Sequence, residues 1–311
     1  MIAKGEVFRA AALLGLTLAG FGLAQAQPAK VPAAPPVAEK PAAASSAAQK
    51  PAAAPAEKPA ATPAKVEFTP EVGQAGKDVV WVPTAQVLVN RLLDMAKLTP
   101  SDILYDLGSG DGRTVITAAK RGARAYGIEY NADLVALSKR NAATEGVAER
   151  ATFERADIFK TDFSRATVLT LFLLPSLNVK LRPTILNMKP GTRVAANSFD
   201  MGDWKPDQTA RVEGDCQSWC TAYLWIVPVK VGGAWKFGTG ELVLKQQYQM
   251  LTGTLSTGDN TLAISEGKLD GERISFSVGS AKYEGVVKGD LMEGRAIAGT
   301  SKTPWFATRG Q

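Results

Sequence analysis

The chain of 311 residues contains no histidine. That absence removes the Ser-His-Asp triad, the Cys-His pair and any histidine-ligated zinc. Acid–base work therefore falls to Asp, Glu, Tyr, Lys or a bound substrate. Cysteine is scarce as well, with only Cys216 and Cys220. Two thiolates without further ligands fall short of a metal site, so no metal is expected. The two cysteines are too far apart to bridge along an extended strand, but a tight turn brings them to disulfide distance. An exported chain permits that bond. A disulfide in a hairpin loop is therefore favoured over two free thiols. Long apolar runs are also missing. The stretch 10–24 is short and rich in Gly and Ala, whereas a membrane span needs about 20 apolar residues.

One sign of charge is in excess, and its location matters more than its size. The formal net charge is +6. Residues 1–26 carry Lys4 and Arg9 against Glu6, net +1, and residues 27–65 carry five lysines against Glu39 and Glu57, net +3, which leaves only +2 for residues 66–311. A nearly balanced folded part gives no DNA-binding stripe, so no nucleic-acid partner is expected.

Residues 1–26 read as a secretory signal peptide. A weakly basic start precedes the apolar stretch, and Ala24-Gln25-Ala26 forms an A-x-A cleavage site. An uncleaved inner-membrane anchor is the alternative. No cysteine follows the apolar stretch, so lipoprotein processing is not indicated. Residues 27–65 are low-complexity Ala, Pro and Lys, with almost nothing to bury, and read as a disordered, semi-rigid tether. Its basic charge allows weak envelope or membrane-surface contact. The expected location is periplasmic or cell envelope.

From residue 66 to about 230, helical and strand patterns alternate. Thr84 is placed to cap a helix carrying Leu88, Leu92, Met95 and Ala96 on one face. Strands are expected at 103–107, 125–129, 151–156, 167–174 and 192–197. Helices are expected at 114–121, from Asn131 to near Gly146, and at 177–188 with Pro183 near its first turn. A closing hairpin is expected at 210–213 and 222–227. The order implies a Rossmann-like parallel sheet with helices on both faces. Residues 231–311 differ. Glycine recurs between short alternating runs such as Ile274/Phe276/Val278, the pattern of a small antiparallel all-β domain, sheet or barrel. Trp235, Phe237, Tyr248, Phe276, Tyr283, Trp305 and Phe306 are its expected core, with a ligand-binding cup as the alternative.

The most informative stretch is Asp106-Leu107-Gly108-Ser109-Gly110-Asp111-Gly112-Arg113, which lies between a strand and a helix. Glycines there let the backbone turn sharply and approach a ligand. The dinucleotide fingerprint G-x-G-x-x-G does not fit, because its third glycine would fall on Arg113 or Val115. Asp106 and Asp111 would also repel a pyrophosphate. An acid two residues before Gly-x-Gly-x-Gly is instead how doubly wound domains hold S-adenosylmethionine. Two further acids close the next strands. Glu129 is placed to hold both ribose hydroxyls. Asp157 is placed to accept from an adenine amino group, with Ile158 or Phe159 against the ring.

With these residues, positions 76–230 resemble a class I S-adenosylmethionine-dependent methyltransferase. Trp81-Val82-Pro83-Thr84 and residues 105–113 are similar to the small lysine methyltransferases of the ATP-synthase c-subunit lysine methyltransferase family. The resemblance implies a seven-stranded sheet ending in a reversed hairpin. It implies cofactor contacts at Thr84, Asp106, the loop Gly108, Ser109, Gly110 and Gly112, Glu129, Asp157 and Ile158. The acceptor is expected to be a protein lysine or a small amine. After the fourth strand, where many amino-group methyltransferases carry polar-Pro-Pro-aromatic, this chain has Leu174-Pro175-Ser176-Leu177. That departure argues against DNA-base and glutamine-amide acceptors. Asn178 is the candidate catalytic residue, as an acceptor from the amine, or it caps the next helix. Asp200 and Trp204 would flank the substrate or shape the loop. The rival reading is an exported, non-catalytic Rossmann-like binding or scaffold protein, since S-adenosylmethionine is made in the cytosol.

Overall fold

The computed structural model describes residues 68–310. The signal, anchor and tether expected at 1–65 lie outside the described residues.

Helix α1 (Gln86–Met95) leads into strand β1 (Ile103–Leu107), α2 (Arg113–Lys120), β2 (Arg124–Glu129), α3 (Ala132–Thr144) and β3 (Ala151–Arg155). Then follow β4 (Val168–Leu171), α4 (Pro175–Ile185), β5 (Arg193–Asn197), β6 (Gln208–Arg211) and β7 (Thr221–Ile226). These seven strands form one sheet in the order β3-β2-β1-β4-β5-β7-β6. The first five pair in parallel, and β7 and β6 close the sheet antiparallel. The chain winds outward from β1 in one direction and from β4 in the other. The switch point between them is where an open α/β sheet forms its ligand crevice.

Strand alternation assigns each residue to a face. Tyr105, Leu107, Leu169 and Leu171 pack with Leu181 and Ile185 of α4, whereas Leu104 and Val168 pack with Leu88 and Leu92 of α1. Asp106 and Thr170 stand opposite one another in register, on the α1 face of β1 and β4. That single register places a carboxylate and a hydroxyl side by side at the crevice.

Several expected boundaries move, each for a local reason. Ala85, not Thr84, is the N-cap of α1 and makes no side-chain bond. The Thr84 hydroxyl is engaged by β5, accepting from Asn197 Nδ2 at 3.2 Å. Helix α4 starts at Pro175, because proline is well suited to the first helical position. Pro183 consequently falls in its last turn rather than its first. The apolar run 167–174 is strand only to Leu171. Asn131 does cap α3, its side chain accepting from the amides of Asp133 at 2.8 Å and Leu134 at 3.3 Å. Cys216 and Cys220 are bridged, with Cα atoms 5.7 Å apart.

Eight further strands follow: β8 (Gly233–Phe237), β9 (Gly240–Gln247), β10 (Met250–Thr257), β11 (Asn260–Asp270), β12 (Arg273–Val278), β13 (Ala281–Lys288), β14 (Leu291–Ala298) and β15 (Ser301–Arg309). They close into an antiparallel barrel. Eight strands leave an interior that side chains just fill, here with Trp235, Leu242, Leu255, Phe276 and Trp305 among others. Two of the expected core aromatics lie elsewhere. Phe306 faces solvent at 62% exposure. Tyr248, at the β9–β10 turn, stacks on Trp204 of the β5–β6 loop with ring centroids 5.9 Å apart, and its hydroxyl donates to Asp203 at 2.9 Å. Gln249 adds a bond to the Lys205 carbonyl at 2.8 Å. The hairpin tip is thus fastened to the β5–β6 loop.

Candidate functional site

The glycine loop between β1 and α2 is shaped by what surrounds it. Gly110 has φ +56°, and a Cβ there would lie 2.6 Å from Trp81 Nε1. Gly112 has φ +85°, and a Cβ there would lie 2.8 Å from the Phe153 ring and 2.9 Å from Ser138 Cβ. Both positions need glycine for conformation and for space. Backbone bonds hold the loop from beneath: Gly108 N and Ser109 N both donate to Ile128 O, at 2.8 and 3.1 Å. Ser138 Oγ donates to Gly110 O at 2.9 Å.

Each acid then has a distinct role in the frame. Glu129 Oε2 accepts from Gly110 N at 3.0 Å and Oε1 from Asn131 N at 2.9 Å. These bonds lock the carboxylate plane and leave each oxygen with acceptor capacity to spare. Asp111 also borders the cavity and is clamped by Arg113 at 2.5 Å. Arg113 also donates to the Thr84 carbonyl at 2.9 Å, tying the segment before α1 to the loop. Asp157 pairs with Lys77 at 2.9 Å, and its other oxygen accepts from Phe159 N at 2.9 Å. The hydrogen bond from Lys77, followed by that from the Phe159 amide, holds the Asp157 carboxyl below its usual range.

Around this frame lies a cavity of about 430 Å³, within the usual size range for a small-molecule site. Thr84, Asp106, Gly108, Ser109, Gly110, Glu129, Asp157 and Ile158 all line it. Gly112 and Asn178 are absent from its wall. Gly112 instead starts α2 beneath the loop. Asn178 is 1% exposed and donates to the carbonyls of Phe199 at 3.2 Å and Asp200 at 3.1 Å. Lying inside α4, it neither caps that helix nor reaches the cavity, and acts as a strut for the loop after β5. Trp204, fully buried, packs among Met201, Trp225 and Tyr248, away from the cavity wall, so it shapes that loop.

Sequence reasoning missed two parts of this wall. Residues 74–82 form a strap, closed by Trp81 N to Gln74 O and Gly73 N to Trp81 O, both at 2.9 Å. Lys77 and Trp81 reach from it to Asp157 and Gly110. No periodicity marks the strap, and only its end at Trp81–Thr84 carries a recognisable pattern. The second part is an aromatic group, Phe172, Phe199 and Trp219, drawn from three separate strand ends. Nothing local in sequence links those three.

This geometry coincides with a family match. Residues 106–208 fit the family model described as the ANTKMT methyltransferase domain. A Saccharolobus islandicus protein named protein-lysine N-methyltransferase is 40% identical over 152 residues, which is 48% of this chain and 94% of that protein. The chain belongs to this methyltransferase family. A Xenopus laevis relative, named as an ATP synthase c-subunit lysine N-methyltransferase, is 36% identical, across 41% of this chain and 56% of its own length. The chain thus spans little more than half of that relative. A solved structure titled as an RNA methyltransferase from Salinibacter ruber with S-adenosyl-L-homocysteine is 48% identical, covering 48% of this chain and 96% of its own, at a TM-score of 0.45.

The methyltransferase is S-adenosylmethionine-dependent, and its cavity suits that cofactor. Asp106 is buried, accepts from Thr170 Oγ1 at 2.7 Å, and has no cationic partner among the described residues. Burial first, then the nearby charges of Glu129 and Asp111, push its carboxyl up to about 7. A cationic ligand beside it would restore the carboxylate. Ser109 Oγ is likewise buried without a hydrogen-bond partner. Asp106 is the group a positively charged nucleoside would satisfy, whereas Ser109 Oγ is sealed beneath the loop against Gly127. Membership of this methyltransferase family supports an enzyme over the non-catalytic reading.

Proposed function

We propose that the enzyme N-methylates the side-chain amine of a protein lysine, in an exported compartment. The observation that carries the acceptor class is the apolar port beside the cofactor frame, walled by Phe172, Leu173, Leu174, Phe199 and Trp219. An amine entering such surroundings is desolvated and gives up its proton more readily, exposing the lone pair that must attack. When bound, S-adenosylmethionine supplies an electrophilic methyl carbon on a sulfonium. The protein's own part is position and exclusion of water. Glu129 offers two fixed acceptors to a ribose, Asp106 a carboxylate to a cationic group, and Asp157 an acceptor near the adenine end once Lys77 yields. Ile158 and Leu134 flank the same end of the cavity. The two named relatives support lysine as acceptor. The balanced charge of the folded part disfavours an RNA acceptor.

Export rests on the N-terminal sequence pattern, and the Cys216–Cys220 bridge supports it. The acceptor reading is tested by incubating the full chain with methyl-labelled cofactor and lysine-bearing protein, then hydrolysing the product. The expected label is in methyl-lysine. Label confined to other residues, or to nucleic acid in a parallel reaction, would refute it. A fusion reporter active only outside the cytosol checks the compartment.

A further inference from the structure

The loop between β6 and β7 carries an exposed tryptophan in an unusual backbone state. Trp219 has φ +54°, in the left-handed region that a bulky residue adopts only when its surroundings hold it there. It lies inside the ring closed by Cys216 and Cys220 and directly precedes the bridged Cys220. Val212 N donates to Cys220 O at 2.8 Å, so the base of the loop is also pinned. Sheet topology decides where this loop hangs. Because β7 runs antiparallel to β5, its first residues sit beside the last residues of β5, with Ala222 opposite Asn197. Ser198 N donates to Thr221 O at 2.7 Å. Phe199 and Trp219 therefore emerge together at the carboxyl edge of the parallel strands, at the mouth of the cavity.

There the three rings form a group. Phe172 stacks with Phe199, centroids 6.0 Å apart, and meets Trp219 edge-on at 6.1 Å. Trp219 is nonetheless 46% exposed, so one ring surface stays open to an incoming chain. A tryptophan face attracts an alkylammonium through its quadrupole, and the apolar walls accept a methylene stem. Resting on the lysine-acceptor reading above, we propose that Trp219, held in place by the Cys216–Cys220 bridge, is the outer wall of the acceptor port and determines its preference for a lysine-type alkylamine. The bridge then acts on acceptor binding and not on the cofactor, whose frame lies at the ends of β1, β2 and β3 and on the glycine loop.

The test uses the full chain loaded with S-adenosylhomocysteine and Nα-acetyl-lysine amide as probe, titrated by calorimetry. Trp219→Ala should weaken probe binding about tenfold, and Trp219→Phe should keep most of it. The Cys216→Ser, Cys220→Ser double variant should weaken it severalfold, since the tryptophan is then free to leave its left-handed conformation. S-Adenosylmethionine affinity should stay within about twofold of wild type in all three, because a side chain half in solvent is not part of that frame. Unchanged probe affinity in both Trp219→Ala and the double variant would overturn the proposal. So would failure of the wild type to bind the probe while it still binds S-adenosylmethionine. Failure of the wild type to bind S-adenosylmethionine would instead bring down the methyltransferase reading, and this proposal with it.

Discussion

Replacing Asp106 by asparagine converts the most perturbed group of the site into a neutral isostere. Asp106 is 6% exposed, and burial with the flanking charges raises its pKa from 3.8 to about 7. In the unfolded chain the same carboxyl ionises near its ordinary value. Between those two values the folded state holds a proton that the unfolded state has lost. Stability therefore falls as pH rises through that window, and the loss is complete above the folded pKa. Three pH units at about 1.36 kcal/mol each give up to about 4 kcal/mol. The amide of the Asp106→Asn variant keeps an oxygen for the Thr170 hydroxyl and has no charge to bury. Its stability should be nearly flat over the same range. Urea unfolding of wild type and Asp106→Asn at intervals from pH 4 to pH 8 measures the difference. The gap between them should widen toward high pH in favour of the variant. Parallel pH curves would refute the reasoning. The same pKa has a ligand-side consequence. A cationic cofactor beside Asp106 should lower its pKa, so binding near pH 6 should release a proton, and affinity should climb with pH up to about 7 and then level off. Calorimetry in two buffers of different ionisation enthalpy reads that proton directly.

Three other outcomes follow from the contacts around the cavity. Gly112→Ala forces a Cβ against Phe153 and Ser138 at a positive φ. It should cost about 1–3 kcal/mol, seen as a lowered thermal midpoint. Lys77→Met removes the ion pair to Asp157 and the cation over the Tyr130 ring, 5.0 Å away. Both members of the pair reach solvent, so stability should hold, while the freed Asp157 should let the cofactor bind faster in stopped-flow association. Asn178→Ala leaves the Phe199 and Asp200 carbonyls without their donor. A loss of about 1–3 kcal/mol is expected, with methyl transfer falling further than cofactor affinity because the port wall shifts.

The gathering of Asp106, the glycine loop, Glu129 and Asp157 around one cavity was legible because its determinants are local. An acid, a glycine turn and the next two strand ends each carry their own pattern, and parallel topology then brings them to one edge. The aromatic wall was not. Phe172 lay hidden inside an apolar run that reads as uninterrupted strand, although the chain leaves the sheet at Leu171 and spends the next residues on the cavity wall. Phe199 and Trp219 both reach Phe172 only through the antiparallel pairing of β5 and β7, a non-local fact. Asn178 looked like a substrate acceptor from its place after β4. The early start of α4 at Pro175 turned it inward to bond two carbonyls. In the barrel, period-two patterning marked the strands correctly, yet it assigned Tyr248 to the interior. A turn residue at φ +55° escapes that alternation and points to whatever lies beyond the barrel.

The cavity edged by Asp106, the glycine loop and Glu129 is proposed to hold S-adenosylmethionine, and the acceptor reading depends on it. Calorimetric titration of that ligand into the full chain tests it most directly. The structure predicts one-to-one binding, abolished when Glu129→Ala removes the anchor of the loop and the paired acceptors. Absence of binding at millimolar ligand, or binding indifferent to Glu129, would contradict it.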